Sequence, residues 1–196
     1  VGVHAPSFAR GLRDALREDP DIIMVGEMRD VETISMALAA SETGHFVMGT
    51  LHVNTTSNAI TRMIDAFSQH QQHGIRAQIA EGLRAVINQR LLTHQSGAGL
   101  VPVIELMRVN HAVASLIRED KLHQLVQVLT TGLSEGMYNF ERSAAEAFIE
   151  GKITREDAER IAPDKTVFQQ ILGALQVQKA RKIGQHNAGR TRKREN

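Results

Sequence analysis

Hydrophobic and polar positions follow two patterns along the first 108 residues, and these patterns predict strands separated by helices. A short continuous apolar run, Ile22–Val25, is bounded by charged residues and predicts a parallel strand that is buried on both faces. Apolar positions three and four residues apart predict amphipathic helices. The expected helices are 7–18, 31–41, 56–67 and 75–92, and the further strands are 46–50 and 100–107. This alternation predicts an α/β unit with a parallel sheet.

After Arg108 the pattern changes to helical periodicity alone. Short helices joined by short loops predict a small C-terminal helical bundle. Thr154 and Asp157 have the spacing of a capping box, which predicts that a helix begins there. The expected helices in this part are 112–118, 122–130, 140–150, 154–161 and 166–180.

Composition narrows the class of protein. The chain has 196 residues, of which 42% are hydrophobic and 23% charged, as in ordinary globular proteins. Aromatic residues make up only 4% and Trp is absent, which argues against a base-stacking surface, so no nucleic-acid partner is expected. The absence of Cys excludes a disulfide scaffold and fits a reducing compartment. Since no apolar run approaches the roughly 20 residues of a membrane span, a cytoplasmic location is expected.

The net charge of +1 conceals an uneven distribution. Residues 179–196 contain seven Lys or Arg and one Glu, a local charge of +6, which leaves −5 for the other 178 residues. This composition predicts a flexible, solubilising C-terminal tail. Contact with an acidic membrane surface, nucleic acid or a protein partner is the alternative.

A carboxylate follows the first predicted strand after one glycine, Gly26. Parallel sheets bind ligands at the carboxyl ends of their strands, so Glu27 lies where chemistry is expected. The alternative is a solvated acid at the end of a strand. Arg29 and Asp30 come next, and such a pair either serves the site or forms a structural ion pair.

Two histidines flank the second predicted strand, with His45 before it and His52 after it. A shared metal is a weak interpretation, because a strand between the two residues sets the rings far apart. From the residues alone, helix capping or a surface position explains both histidines. Thr50 lies close to the end of the same strand and offers a hydroxyl group.

Residues 16–30 resemble the signature of the secretion and pilus ATPase superfamily. In that signature Leu-Arg, two variable residues, Pro-Asp, an apolar run, Gly-Glu, an apolar residue and Arg-Asp follow in order, and every position is filled here. Residues 43–52 resemble the histidine box of the same superfamily, with both histidines included. From residue 7 to about residue 172 the chain is most similar to the PilT-like type IV pilus retraction ATPases.

Two further segments bear on the branch of the superfamily. Residues 85–92 resemble the helix that precedes the last core strand, and residues 112–119 resemble the C-terminal motif linked to retraction. The latter motif departs from the usual pattern, with Ala114 and Ser115 where Arg-Asn is typical. Pilus-assembly and type II secretion ATPases typically carry a four-cysteine module after the Gln-Arg-Leu segment, which this Cys-free chain lacks. They remain the alternative, together with a truncated, non-hydrolysing paralogue that binds partners.

The resemblance implies an α/β fold. It consists of a partial RecA-like P-loop ATPase core with a parallel sheet, followed by a C-terminal helical bundle. The implied domains are the C-terminal part of the core at residues 1–108, a helical subdomain at 109–178 and a basic flexible tail at 179–196. The implied function is an ATP-hydrolysing motor subunit that powers type IV pilus retraction in twitching motility.

The resemblance also implies roles for particular residues. Glu27 is expected to polarise the attacking water and to act indirectly on Mg²⁺, and His52 is expected to be catalytic beside the γ-phosphate. Arg29, His45 and Thr50 are expected to bind the nucleotide. The implied cofactors are therefore ATP and Mg²⁺.

The expected assembly is a homo-hexamer with ATP at the subunit interfaces, located peripherally at the inner-membrane base of the pilus. An inner-membrane pilus platform protein is the expected partner, and a paralogous pilus ATPase is a further candidate. The sequence opens with Val1 and contains no Walker A loop, so it is interpreted as an internal fragment. The fragment alone is expected to be inactive.

Overall fold

The computed structural model describes the backbone of residues 7–192 and the side chains of residues 7 and 10–181. The chain divides into two compact units, Val1–Asn88 with Leu106–Gly136, and Gln89–Glu105 with Met137–Asn196. The helices of the first unit are α1 Phe8–Ala15, α2 Val31–Glu42, α3 Thr56–Asp65, α4 Gln69–Gly82, α5 His111–Arg118 and α6 Leu125–Thr131. Its parallel sheet consists of β1 Ile22–Val25 and β2 Phe46–Gly49.

Strands β1 and β2 are parallel, with Ile22 opposite Phe46 and Val25 opposite Gly49. The prediction of a parallel sheet is therefore confirmed. Because the last residues of the two strands are paired with each other, both strands end at the same edge of the sheet. The two segments that follow them therefore start side by side. This edge carries the candidate site.

The prediction that β1 is buried on both faces is wrong. Ile23 and Val25 are buried, whereas Ile22 is 60% and Met24 is 71% exposed. The buried pair packs with Leu12 of α1 and with small side chains of α2 in one hydrophobic cluster. In the part of the chain that the structure describes, helices cover only one face of the sheet. The continuous apolar run therefore predicts the strand correctly but does not predict that both of its faces are buried.

Helix α2 begins at an aspartate cap, as the sequence predicts. Asp30 has extended backbone angles, and its Oδ1 accepts a hydrogen bond of 2.8 Å from the backbone N–H of Thr33. Its Oδ2 accepts a second bond of 3.0 Å from the Thr33 hydroxyl group. Side-chain acceptors at this position satisfy backbone donors that have no partner within the helix. The cap fixes where the loop after β1 ends.

The predicted helix over residues 75–92 is wrong in its second half, and so is the helical interpretation of residues 85–92. Helix α4 ends at Gly82, and strand β3, Ala85–Thr93, pairs with β4, Leu100–Arg108. The pairing is antiparallel, because the His94 N–H bonds to Gly99 O at the tip and the Val109 N–H bonds to Arg84 O at the base. Burial along β3 alternates, which is the period of a strand.

The second unit contains the outer parts of β3 and β4 together with α7 Phe140–Ile149, α8 Arg155–Ile161 and α9 Lys165–Arg192. Its core is built around Val103, Phe140 and Phe168, all fully buried. Thr154 caps α8 by accepting a bond of 3.1 Å from the Asp157 N–H, so the predicted helix start is confirmed.

The compact units differ from the sequence-based ranges 1–108 and 109–178, whose assignment to a core and a helical subdomain stays a prediction. Helix α9 continues to Arg192, so residues 179–192 are helical where the sequence predicts a flexible tail. The final four residues of that predicted tail lie outside the described residues. None of the described helices is both long and apolar enough to span a membrane.

Replacing Asp30 tests the cap of α2. Asp30→Ala removes both acceptors for Thr33 and is expected to lower the free energy of unfolding by about 1 kcal/mol, whereas Asp30→Asn keeps an acceptor and is expected to lose less. Urea denaturation followed by circular dichroism measures both. Equal stability of the alanine variant and the wild-type chain would contradict the cap.

Candidate active site

The edge of the parallel sheet is held together beyond the ends of the strands. The Met28 N–H donates a hydrogen bond of 3.0 Å to the Thr50 carbonyl oxygen. The Thr50 hydroxyl group donates in turn to the carbonyl oxygen of Gly26. Backbone pairing thus continues past Val25 and Gly49 and brings the residues after β1 against those after β2.

Glu27 and His52 meet at this edge. The His52 Nε2 lies 3.3 Å from the Glu27 Oε1, a contact that is ionic when the imidazole is protonated. Arg29 reaches back over the same loop, and its Nε pairs with the same carboxylate oxygen. The Glu27 side chain is 20% exposed, while Arg29 and His52 are largely exposed. The sequence prediction that His52 lies beside Glu27 agrees with this geometry, whereas their catalytic roles stay predictions.

The charge of Glu27 is set by these neighbours. The hydrogen bond from Arg29 lowers the pKa of Glu27 most, against a smaller rise from burial, and the charges of Arg29, His52 and Arg62 lower it further. The same pair raises the pKa of Arg29. A folded-state pKa below the unfolded value means that this pair stabilises the fold at neutral pH, and its contribution is lost as the pH falls through the lowered pKa. Glu27 is therefore an ionised hydrogen-bond acceptor at neutral pH.

An open cavity of about 460 Å³ adjoins this group. Its lining includes Arg29 and His52 from the two edge loops and Thr61 and Arg62 from α3. The side chains are mostly polar, and two arginines with a histidine give the wall donors for an anion.

Sequence reasoning did not identify Arg62 or Asn88 as part of this region. Arg62 belongs to α3 and lines the same cavity as Arg29 and His52, which is a tertiary arrangement that local sequence patterns do not reveal. Asn88 is buried in β3, and its Nδ2 donates a bond of 3.1 Å to the carbonyl oxygen of Val53, the residue after His52. Asn88 is the first of three consecutive polar residues, Asn88, Gln89 and Arg90, so no local sequence signal singles it out.

The structure does not bring His45 to this group. His45 precedes β2 and therefore lies at the opposite end of the sheet from Glu27, which follows β1. Its Nδ1 lies 3.1 Å from the Ala40 carbonyl oxygen and 3.0 Å from the Thr43 hydroxyl group. These contacts tie the C-terminus of α2 to the start of β2, as expected of a capping histidine. A nucleotide role for His45 stays untested.

Thr50 and Arg29 both make contacts within the sheet edge. The Thr50 hydroxyl group bonds to Gly26, so it already holds the sheet edge, and its predicted nucleotide contact is untested. Arg29 pairs with Glu27, so the proposed structural pair of Arg29 with Asp30 is not formed, and Asp30 caps α2 instead. Among the described residues no group of three or more His, Cys, Asp or Glu could hold a metal ion.

Comparison with known proteins now identifies the family. The family model for type II/IV secretion system proteins matches residues 3–160. The chain belongs to this family. It is 45% identical over 159 residues to a twitching motility protein of Neisseria gonorrhoeae, which covers 81% of this chain and 42% of the relative. It is 44% identical over 151 residues to the type IV pilus retraction ATPase PilT of Pseudomonas aeruginosa, covering 77% and 44%.

A solved structure supports the same assignment. The crystal structure of the pilus retraction motor PilT with bound ADP superposes with a TM-score of 0.76 at 43% identity, over 85% of this chain and 46% of that chain. The predicted resemblance to PilT-like ATPases, and the predicted partial RecA-like core with its helices, are confirmed. The chain spans less than half the length of these relatives.

Removing Arg29 tests the electrostatics of the site. Arg29→Gln takes away the hydrogen bond that lowers the pKa of Glu27 most, so this pKa is expected to rise towards its ordinary value. NMR titration of the ¹³C-labelled Glu carboxylates measures the change. Arg17→Gln is the matched control, because Arg17 is exposed and lies in the 3-10 turn that follows α1. An unchanged pKa of Glu27 in Arg29→Gln would show that the ion pair does not form in solution.

Proposed function

We propose that this chain forms the water-activating half of an ATP-hydrolysing motor subunit that powers type IV pilus retraction in twitching motility. The observation that carries the proposal is the Glu27–His52 contact at the carboxyl edge of the parallel sheet, within a chain 44% identical to a retraction ATPase over 151 residues. Ligands of such sheets bind at this edge. The resemblance of residues 16–30 and 43–52 to the superfamily signatures supports it further.

In the proposed mechanism Glu27 orients the attacking water. An ionised carboxylate accepts a hydrogen bond from water and takes up its proton as the nucleophile attacks. In this proposal His52 Nε2, which lies next to the carboxylate, donates to a phosphate oxygen or senses its loss. The Thr50–Gly26 bond keeps the two loops in register, so that Glu27 and His52 act on the same point.

The residues fit a nucleotide phosphate better than they fit a metal. Arg29, His52 and Arg62 line the cavity and can donate to phosphate oxygens. ATP, when bound, supplies the phosphoryl group that is transferred to water. For Mg²⁺ the described residues offer no cluster of ligands, so Glu27 is proposed to act on the metal only indirectly, and no step is assigned to it.

We further propose the assembly that the family resemblance implies. It is a homo-hexamer with nucleotide at the subunit interfaces, located at the inner-membrane base of the pilus. The pilus platform protein is its proposed partner, and a paralogous pilus ATPase is a second one. The similarity to a twitching motility protein and to PilT supports this assembly.

The role of Glu27 is tested in the longest natural polypeptide that contains these residues. Glu27→Gln is expected to lower ATP turnover by about 10²-fold to 10⁴-fold because the water loses its proton acceptor, while ATP binding is retained. Phosphate release measures turnover, and a fluorescent ATP analogue measures binding. Glu42→Gln removes an exposed carboxylate at the end of α2 and is expected to have no effect. Wild-type turnover in Glu27→Gln would exclude Glu27 as the water-orienting residue.

The 196-residue chain by itself is expected to hydrolyse ATP negligibly. Its sequence contains no glycine-rich loop ending in Gly-Lys-Ser/Thr, the element that cradles the β- and γ-phosphates in P-loop ATPases. A phosphate-release assay measures the turnover of the purified chain, which must be free of contaminating ATPases. Turnover comparable to that of an intact motor would mean that other residues of this chain hold the phosphates.

A further inference from the structure

Arg62 contributes to the electrostatics of Glu27 through its charge alone, without a direct contact. It lies in the last turn of α3, is exposed, and lines the cavity beside the sheet edge. Among the residues that the structure describes, no hydrogen bond or ion pair involves the Arg62 guanidinium. Asp65, three residues further along, lines the same cavity without pairing with it. The guanidinium is therefore available to a ligand.

Arg29 lines the same cavity from the loop between β1 and α2. Its present partner is the carboxylate of Glu27, and the Arg29 side chain is largely exposed. Exposed ion pairs are weak, because water screens them and two side chains must be held in place. An anion with several negative charges in the cavity can therefore compete with Glu27 for this arginine.

We propose that Arg62 and Arg29 together bind a phosphate-type anion in this cavity, and that Arg29 exchanges Glu27 for that anion. This proposal rests on the proposed function, since it names two further residues of the same site. Guanidinium groups suit the task because they donate two parallel hydrogen bonds to phosphate oxygens. Arg62 serves as a fixed anchor, and Arg29 serves as the group that changes partner.

The exchange has a consequence for Glu27. While Arg29 pairs with Glu27, one oxygen of the carboxylate is occupied by both Arg29 and His52. When Arg29 turns to the anion, that oxygen keeps its contact with His52 but loses its arginine partner, so it can accept a hydrogen bond from a water molecule. The arrival of phosphate would thus free the carboxylate that the reaction needs, which couples binding to activation without a large movement.

Binding of pyrophosphate to the 196-residue chain tests the anchor. Isothermal titration calorimetry is expected to show that Arg62→Gln weakens pyrophosphate binding about tenfold, the size expected for one charge-assisted contact. Arg62→Lys keeps the charge without the paired donors and is expected to lose less. Asp65→Asn removes a negative charge from the cavity wall and is expected to strengthen binding. Arg17→Gln, with the same change of charge in the turn after α1, is expected to leave the affinity unchanged.

Three results would overturn the anchor. They are wild-type affinity in Arg62→Gln, equal weakening in Arg17→Gln, and the absence of pyrophosphate binding by the wild-type chain. The second of these would show that only the overall charge matters.

NMR of the ¹⁵N-labelled arginine side chains tests the exchange. The Nε–Hε signal of Arg29, assigned by its loss in Arg29→Gln, is expected to shift on saturation with pyrophosphate and to keep its position when chloride is added at equal ionic strength. An unmoved Arg29 signal at saturation would contradict the exchange. These measurements do not depend on turnover. If Glu27→Gln abolishes turnover but pyrophosphate binding does not depend on Arg62, this inference alone is overturned. If binding depends on Arg62 but Glu27→Gln retains wild-type turnover, the proposed function alone is overturned.

Discussion

The candidate site depends on the pairing of two short parallel strands that continues past their ends. The bonds from Met28 to Thr50 and from Thr50 to Gly26 extend the ladder by one step into the loops. Loops are normally the most variable and mobile part of such an edge. Here the extra step places Glu27 and His52 within 3.3 Å of each other. Thr50, for which the family resemblance predicts a nucleotide contact, is thus a structural link between the two loops.

A parallel pair of four-residue strands has little stability of its own. Helices α1 and α2 supply it from one side, where Leu12 and Ala40 pack on Ile23 and Val25. Gly49 adds a close approach at the end of β2, since a Cβ there would lie 2.7 Å from the Met28 sulfur atom. The glycine lets the Met28 side chain lie across the strand end. The geometry of the site therefore rests on packing beneath the edge as much as on the loops themselves.

The sequence predicted those parts of the structure that local signals determine. The bounded apolar run gave the position of β1, Asp30 gave the start of α2, and two successive parallel strands implied that His52 would lie near Glu27. The sequence did not predict strand β3, because the apolar positions of residues 85–92 also fit a continuation of the preceding helix. Their extended conformation depends on pairing with β4, which is distant from local sequence signals. Arg62 was missed for a related reason, because its place at the cavity follows from how α3 packs.

The role of His45 depends on which ring nitrogen carries its proton. The Ala40 carbonyl oxygen, 3.1 Å from Nδ1, can only accept a hydrogen bond, whereas the Thr43 hydroxyl group, 3.0 Å from Nδ1, can donate or accept one. In the Nδ1–H tautomer, which satisfies the Ala40 oxygen, Nε2 offers only a lone pair. Such a ring can accept a hydrogen bond from a ribose hydroxyl or a water molecule, but it has no proton to give to a phosphate oxygen. A phosphate contact by His45 therefore requires either the imidazolium or the Nε2–H tautomer, and the latter leaves the Ala40 oxygen without this donor. The described contact of His52, between Nε2 and the Glu27 carboxylate, sets no such condition.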